Sequence, residues 1–157
     1  MANKNKGSGS NQQSERSAAR LGAVQALFQL ALSDNPKPEI VVVEFETHRL
    51  GREIDGDLYS SADKEFFRDI VIGAFKVKSE LDGLISDHLS KNWSIGRLEN
   101  IMLSILRAGA YELKFRPDVP TVVIVNEYID VAHAFYSNSE PGFVNGILDK
   151  LGKKIRA

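Results

Sequence analysis

Apolar side chains recur at intervals of three and four residues along most of this sequence, and this spacing restricts its fold more than any other feature. It places the apolar groups on one face of an α-helix. In the stretch 63–78, for example, Phe67, Ile70, Val71 and Ala74 fall on one side. Such a stripe has to be buried against a neighbouring element, so the pattern predicts packed helices.

The same spacing, together with capping and helix-breaking residues, predicts about seven helices joined by short connections. Ser14 and Ser94 are suited to cap helices, and Pro36 and Pro38 end the first one. An all-α bundle follows. The predicted helices cover residues 14–32, 39–50, 63–78, 79–89, 94–115, 121–136 and 139 to the last turn.

Two stretches rich in β-branched residues, 41–43 and 121–125, favour strands by local propensity. No long alternating segment is present to pair with them, and an isolated strand is unstable in water. We therefore predict helix in both. Residues 51–61 are predicted to form an acidic loop and residues 1–13 a disordered tail, which leaves residues 14–157 as the helical domain.

The composition limits the chemistry that the chain can perform. Its 157 residues are 43% hydrophobic, enough for one domain or two packed halves with a real core. The absence of cysteine excludes disulfides, thiolate catalysis and cysteine-bound metals. No apolar run has the length of a membrane span and the first residues do not form a signal peptide, so a cytoplasmic protein is expected. The net charge is −1, although both chain ends are basic and the middle is acidic.

No group of residues has the spacing of a catalytic or metal site. His48, His88 and His133 lie in three different predicted helices, and none has a metal-ligand partner at helical spacing. Asp55 and Asp57 are loop residues that nothing would hold in catalytic geometry. We therefore predict a protein that is not an enzyme and has no metal or other cofactor.

Four segments, taken in order, resemble the NusB family. The first is 16–28, with its Val-Gln-Ala-Leu-Phe core, and the second is 67–73 followed by 81–85. The third combines 105–113, 118–120 and 124–127, and the fourth is Phe-Val-Asn-Gly-Ile-Leu-Asp-Lys at 143–150. Each segment alone is weakly specific, but their joint order and spacing over about residues 16–151 are highly specific.

The resemblance implies two packed helical subdomains and a function in transcription antitermination. Members of this family bind the boxA element of nascent ribosomal RNA together with NusE, a ribosomal protein of the small subunit. The complex joins NusA, NusG and RNA polymerase and promotes processive elongation. Some members self-associate, so a homodimer is a further form that the resemblance allows.

The resemblance also implies which residues bind RNA. Arg16 and Arg20 are four positions apart and would share a helix face that can meet phosphates. The alternative is a pair of ordinary solvated arginines. Lys4 and Lys6 would add reach from a mobile arm. RNA-binding roles are implied for two further residues of the fourth segment, Phe143 and Asn145.

These two residue types suit single-stranded RNA, which proteins bind by stacking and by polar contacts to base edges. Asn145 could instead cap or bridge helices. The partner-binding residues that the resemblance implies are Phe28, Met102 and Ser139, although Phe28 could equally belong to the core.

Two departures from the family pattern weaken the expected grip on phosphates. Ser17 and Ala18 occupy positions that are often basic, and Gly142 stands where a basic residue often precedes Phe-Val-Asn-Gly. We therefore expect modest RNA affinity for the chain alone and dependence on the partner.

Four polar residues of the third segment are predicted to be structural, with a partly buried Arg–Glu pair or a side-chain cap that fixes the crossing of two helices. They are Arg107, Glu112, Asn126 and Glu127.

Two other functions compete with RNA binding. One is a helical protein-interaction or dimerisation module without RNA binding of its own. The other is the helical part of a ribosomal RNA cytosine methyltransferase, which the absence of cysteine disfavours.

Overall fold

The computed structural model describes residues 3–50 and 62–157, with side chains from residue 12 onward. Within these ranges it contains seven α-helices, one short 3-10 turn and no strand, so the prediction of an all-α fold is confirmed. The helices are α1 (Asn3–Leu32), α2 (Pro38–His48), α3 (Lys64–Lys76), α4 (Lys78–Ser86), α5 (Asn100–Phe115), α6 (Thr121–Phe135) and α7 (Glu140–Ile155), and the 3-10 turn is Ile95–Arg97.

Both valine-rich stretches are helical, as predicted from the lack of a strand partner. Val41 and Val42 point into the core beside Phe45, whereas Val43 is exposed. The packing of one face of α2 against the rest of the molecule outweighs the local preference for strand.

Two predicted helix starts are wrong. Helix α1 begins at Asn3, so Ser14 lies inside it and residues 3–13, expected as a disordered tail, are its first turns. A helix that has already formed can extend without a second nucleation step, so a polar composition alone does not end the helix. Ser94 precedes only the 3-10 turn, since Leu98 is extended and α5 begins at Asn100. The predicted loop 51–61 lies outside the described residues.

Helices α1 and α5 form the centre of the molecule. Helix α1 packs on α2, α3, α5 and α6, while α5 packs on α1, α3, α4, α6 and α7. Gly109 lets α5 approach α7 closely, because a Cβ there would lie 2.8 Å from Leu148 Cδ1. Since α5 has 16 residues, its two ends are about 24 Å apart. Among the described residues, no helix is both long and apolar enough to cross a membrane.

The C-terminal end of α5 is closed by one side chain from the end of α7. The Arg156 guanidinium donates hydrogen bonds to the carbonyl oxygens of Glu112, Leu113, Arg116 and Val119 at 2.7–3.3 Å. The last carbonyl groups of a helix have no hydrogen-bond donors within the helix, and Arg156 supplies donors for those at the end of α5. This contact joins the end of α7 to the α5–α6 turn.

Candidate functional site

The structure places the predicted site residues in several different environments. Arg20 is in the core, Arg16 lies near the C-terminal end of α5, and Asn145 is exposed on α7. Lys4 and Lys6 are on α1, but their side chains lie outside the described part. The remaining four line two adjoining cavities near the N-terminal end of α5: Phe28, Met102, Ser139 and Phe143.

The two cavities form one open depression, which we call the Glu99 groove because Glu99 and Tyr136 line both parts. The larger part has a volume of about 810 Å³ and the smaller about 300 Å³. The larger is lined by Gln25, Phe28, Gln29, Leu32, Arg49, Glu99, Asn100, Ile101, Phe135 and Tyr136. The smaller is lined by Trp93, Arg97, Leu98, Glu99, Met102, Tyr136, Ser139, Glu140 and Phe143.

The Glu99 groove combines exposed apolar side chains with a few charges. Trp93 is 51% exposed, and Leu32 and Phe135 also reach solvent. Phe28 is half-buried, so it belongs both to the helix stripe and to the groove wall. Exposed aromatic and aliphatic groups gathered in a concave surface with a charged rim are typical of protein-binding sites.

Tyr136 stands between the two parts of the groove, where its hydroxyl donates a hydrogen bond to Glu99 Oε2 at 3.5 Å. Burial raises the pKa of Tyr136 to about 12, and the neighbouring Glu99 carboxylate adds to the rise. The phenol therefore stays protonated and remains a donor over the whole physiological range.

Arg20 is a structural residue, and its predicted role in RNA binding is wrong. It is only 1% exposed and lies bidentate against Glu112, with Nε–Oε2 and Nη2–Oε1 distances of 2.8 and 2.9 Å. Glu127 is 3.6 Å from its Nη1, and the Tyr128 hydroxyl donates to Glu112. Ser17 donates to Glu127 at 2.9 Å. These five residues form the buried Arg20 network, which no RNA phosphate reaches in the folded chain.

The network alters the acid–base behaviour of its members. Burial alone would lower the pKa of Arg20, but the hydrogen bond and charge of Glu112 outweigh it, and the pKa is raised. Burial raises the pKa of Tyr128 well above its ordinary value, and the Glu112 charge adds to this rise. Arg20 is therefore always charged and Tyr128 always neutral in the folded protein.

We expect Tyr128 to weaken the fold in alkaline solution. Above about pH 10 an unfolded tyrosine loses its proton, whereas folded Tyr128 keeps it, so the folded state binds more protons and stability falls as the pH rises. The contribution is at most about 1.4 kcal/mol per pH unit. The free energy of unfolding, measured with urea between pH 8 and 11, should fall less steeply with pH for Tyr128→Phe than for the unaltered chain. Parallel losses would contradict the role of Tyr128.

The predicted structural residues of the third segment are only partly paired as expected. Glu112 and Glu127 are buried and hydrogen-bonded, but their cation is Arg20 rather than Arg107. Arg107 forms a bidentate pair with Asp82 on α4, at 2.7 and 2.8 Å, and Asn126 is exposed. The prediction considered only α5 and α6, whereas the partner of the two glutamates comes from α1, far away in sequence, and the partner of Arg107 comes from α4.

Arg16, unlike Arg20, is only partly buried. Its side chain is 25% exposed, and its guanidinium lies 4.5 Å from the centre of the Phe66 ring and 3.7 Å from Asp63 Oδ2. Arg116, which the sequence did not single out, stacks near the same ring at 4.9 Å. With Glu65, these residues line a small cavity of about 100 Å³, which we call the Arg16 pocket.

Arg116 differs from Arg16 in being fully paired. It donates to both Asp118 oxygens at 3.1 Å and to Asp69 Oδ2 at 3.0 Å. The Arg116 guanidinium, mainly by its hydrogen bond, holds the pKa of Asp118 below its usual range. Arg16 therefore has the freer guanidinium of the two. Among the residues described, no group of three or more histidines or acids is arranged to hold a metal ion.

Comparison with known proteins agrees with this architecture. Residues 17–153 match the sequence profile of the NusB family. A curated relative from Allorhizobium ampelinum, named transcription antitermination protein NusB, is 48% identical over 142 residues, which are 90% of this chain and 88% of the relative. The protein of the same name from Brucella abortus is 49% identical over 142 residues, covering 90% and 82% of the two chains.

Solved structures agree as well. A NusB of T. maritima superimposes with a TM-score of 0.73 at 33% identity, over 88% of this chain and 91% of that one. A structure described as antitermination factors NusB and NusE in complex with dsRNA includes a chain that matches with a TM-score of 0.70 at 25% identity, over 88% and 96%. Together with the helical architecture described above, these matches establish that the chain belongs to the NusB family.

Proposed function

We propose that this chain is a transcription antitermination factor that acts by binding RNA together with NusE. The observation that carries the proposal is the match over 88% of the chain to a NusB structure described with NusE and double-stranded RNA, supported by relatives named antitermination proteins. The function is one of binding, because members of this family are not enzymes.

We assign NusE to the Glu99 groove. The groove brings together Phe28, Met102 and Ser139, the three residues for which a partner contact was expected, and adds the exposed Trp93. An open, mostly apolar surface of this size suits a protein better than a small ligand, which prefers a closed cavity.

Truncation of Trp93 should weaken NusE binding. Buried aromatic anchors at interfaces commonly contribute about 2 kcal/mol or more, so Trp93→Ala is expected to raise the Kd for NusE at least roughly tenfold. Val122→Ala is a matched control, because Val122 is 67% exposed on α6 and lines no part of the groove. Isothermal titration with NusE measures both, and equal effects of the two changes would place NusE elsewhere.

RNA is assigned to the Arg16 pocket, with Arg16 contacting a phosphate. Phe143 and Asn145 are at the other end of the fold, because Phe143 shares the groove with Met102 near the start of α5, whereas Arg116 in the Arg16 pocket follows its end. The separation is about 20 Å, which a single RNA strand of several nucleotides can span. Lys4 and Lys6 remain proposed contributors from the start of α1.

We further propose that the RNA is boxA-type single-stranded RNA of nascent ribosomal transcripts. The chain would bind it in a cytoplasmic complex that also contains NusA, NusG and RNA polymerase. The alternative is a helical interaction or dimerisation module that does not bind RNA itself. Two measurements distinguish these functions: whether the chain binds RNA, and whether NusE changes the affinity for RNA.

We expect NusE and RNA to strengthen each other's binding. Linking two weak contacts raises the effective affinity, and linkage requires the same factor in both directions. Titration of a boxA-type RNA into the chain, with and without NusE, and of NusE with and without RNA should give one common factor above 1. RNA affinity that does not depend on NusE would disprove cooperative recognition, and no RNA binding in either case would favour the interaction module.

A further inference from the structure

We infer that Asp63 is an internal counterion of Arg16 that lowers the affinity of the Arg16 pocket for an RNA phosphate. This inference rests on the proposed function, in which Arg16 contacts RNA. It adds a residue that sets the affinity without touching the RNA. Neither the charge pattern nor the family segments pointed to Asp63, which lies between two of those segments.

Asp63 is held in place by contacts that have nothing to do with Arg16. Its Oδ1 accepts a hydrogen bond from the Phe66 N–H at 3.0 Å and caps α3. Its own N–H donates to the carbonyl oxygen of Glu15 on α1, also at 3.0 Å. These two contacts fix the carboxylate beside α1.

The contact between Asp63 and Arg16 is electrostatic only. The distance from Asp63 Oδ2 to Arg16 Nε is 3.7 Å, too long for a hydrogen bond. Arg16 Nε is buried and has no hydrogen-bond partner among the described residues. Asp63 therefore offsets part of the positive charge of Arg16 without giving its Nε a hydrogen bond.

Apart from Glu65, whose carboxylate is a second negative charge in the lining, the rest of the pocket favours the binding of an oxyanion by Arg16. The Phe66 ring supports one face of the guanidinium, and both side chains of the Arg16–Asp63 pair keep about a quarter of their surface exposed. Arg116 cannot take the same role without giving up its bonds to Asp69 and Asp118. A phosphate can offer Arg16 the short, paired hydrogen bonds that Asp63 does not make.

A bound phosphate has to approach close to the Asp63 carboxylate, and the two negative charges repel each other. At a separation of about 6 Å, this repulsion weakens binding roughly threefold at the dielectric constant of water, and more in a partly buried pocket where the effective dielectric constant is lower. An isolated phosphate is thereby disfavoured. A phosphate of an RNA that is also held elsewhere, by NusE or by other residues, can still bind, because those other contacts offset the repulsion.

Asp63→Asn tests the inference, because asparagine caps a helix as well as aspartate does but carries no charge. We would measure binding of a fluorescently labelled, short boxA-type RNA to the chain–NusE complex by anisotropy at several salt concentrations. The expected result is binding that is tighter by at least roughly threefold. The salt dependence should steepen by no more than about 0.7, the value of one phosphate contact on a single strand.

Two comparisons separate the pocket from general charge effects. Asp87→Asn removes the same charge from an exposed residue after α4 that lines none of the cavities described, and should change the affinity less than twofold. In an Arg16→Ala background, Asp63→Asn should no longer tighten binding. Asp63→Ser, which also keeps the cap, should reproduce Asp63→Asn, and thermal unfolding of each variant checks that the fold is intact.

The outcomes distinguish this inference from the proposed function. If Arg16→Ala weakens RNA binding but Asp63→Asn does not tighten it, the counterion role is wrong and RNA binding through Arg16 stands. If Asp63→Asn tightens binding equally with and without Arg16, the effect is one of net charge and the inference fails. If Arg16→Ala leaves RNA binding unchanged, Arg16 is not an RNA ligand and both assignments fail.

Discussion

Replacing Arg20 with methionine is expected to lower the free energy of unfolding by about 3–5 kcal/mol. The substitution leaves Glu112, which has no solvent exposure, without its bidentate partner and removes the cation that faces Glu127. An uncompensated buried carboxylate is more costly than the loss of packing, because methionine retains much of the volume of arginine. For a chain of this size, the melting temperature should fall by roughly 6–20 °C.

The control for this prediction is removal of both charges. In Arg20→Met combined with Glu112→Met, the fully buried carboxylate of Glu112 is gone, and Glu127 lacks its cation but keeps the hydrogen bond from Ser17, so the double variant should be more stable than Arg20→Met alone. Urea unfolding of the single and double variants measures the difference. A cost below about 1 kcal/mol for the single change would show that the network contributes little to the fold.

Replacing Arg156 with alanine is expected to cost about 2–3 kcal/mol, a large effect for a residue next to the chain end. The guanidinium donates hydrogen bonds to carbonyl oxygens at the end of α5. It also donates one to Thr121 Oγ1 at the start of α6, at 3.1 Å. Hydrogen bonds from a charged donor are stronger than neutral ones, and one side chain here joins three helices. The loss is measured by chemical unfolding.

Neighbouring residues supply the controls for Arg156. Lys153→Ala removes an exposed cation of the same helix that pairs with Asp149, at 3.2 Å, and should change stability by less than about 0.5 kcal/mol. Arg156→Lys keeps the charge but not the planar set of donors and should recover only part of the loss. If Lys153→Ala and Arg156→Ala had equal effects, the charge of α7 rather than the capping geometry would be responsible.

Arg20 and Arg16 show how one helix serves both stability and recognition. They are four positions apart on α1, and both guanidinium groups lie within 5 Å of the Phe66 ring centre. Arg20 is enclosed by acids from α5 and α6, which locks α1 into the bundle. One turn earlier, Arg16 emerges beside the start of α3. The buried Arg20–Glu112 pair thus fixes the position of α1, the helix that carries Arg16, the proposed RNA ligand.

The helical class, most of the helices and the family could be predicted from the sequence alone. These predictions depend on local information, because the apolar spacing of three and four residues can be recognised within each segment. An error at one helix start, such as Ser94, therefore does not change the prediction that the segment is helical. The resemblance also selected Phe28, Met102, Ser139 and Phe143, which the structure brings to one groove, although their binding roles stay proposals.

Which arginine is structural and which is available depends on the tertiary structure. Arg16 and Arg20 are the same residue type, four positions apart on one helix, and the residues next to them in sequence do not show which of the two meets an acid from a distant helix. The partner of Arg20 is Glu112, 92 positions later, and the cost of burying a charge is offset only where such a distant group meets it in the fold. The position of Asp63 beside Arg16 likewise follows from the packing of α3 on α1, which no local pattern in the sequence encodes.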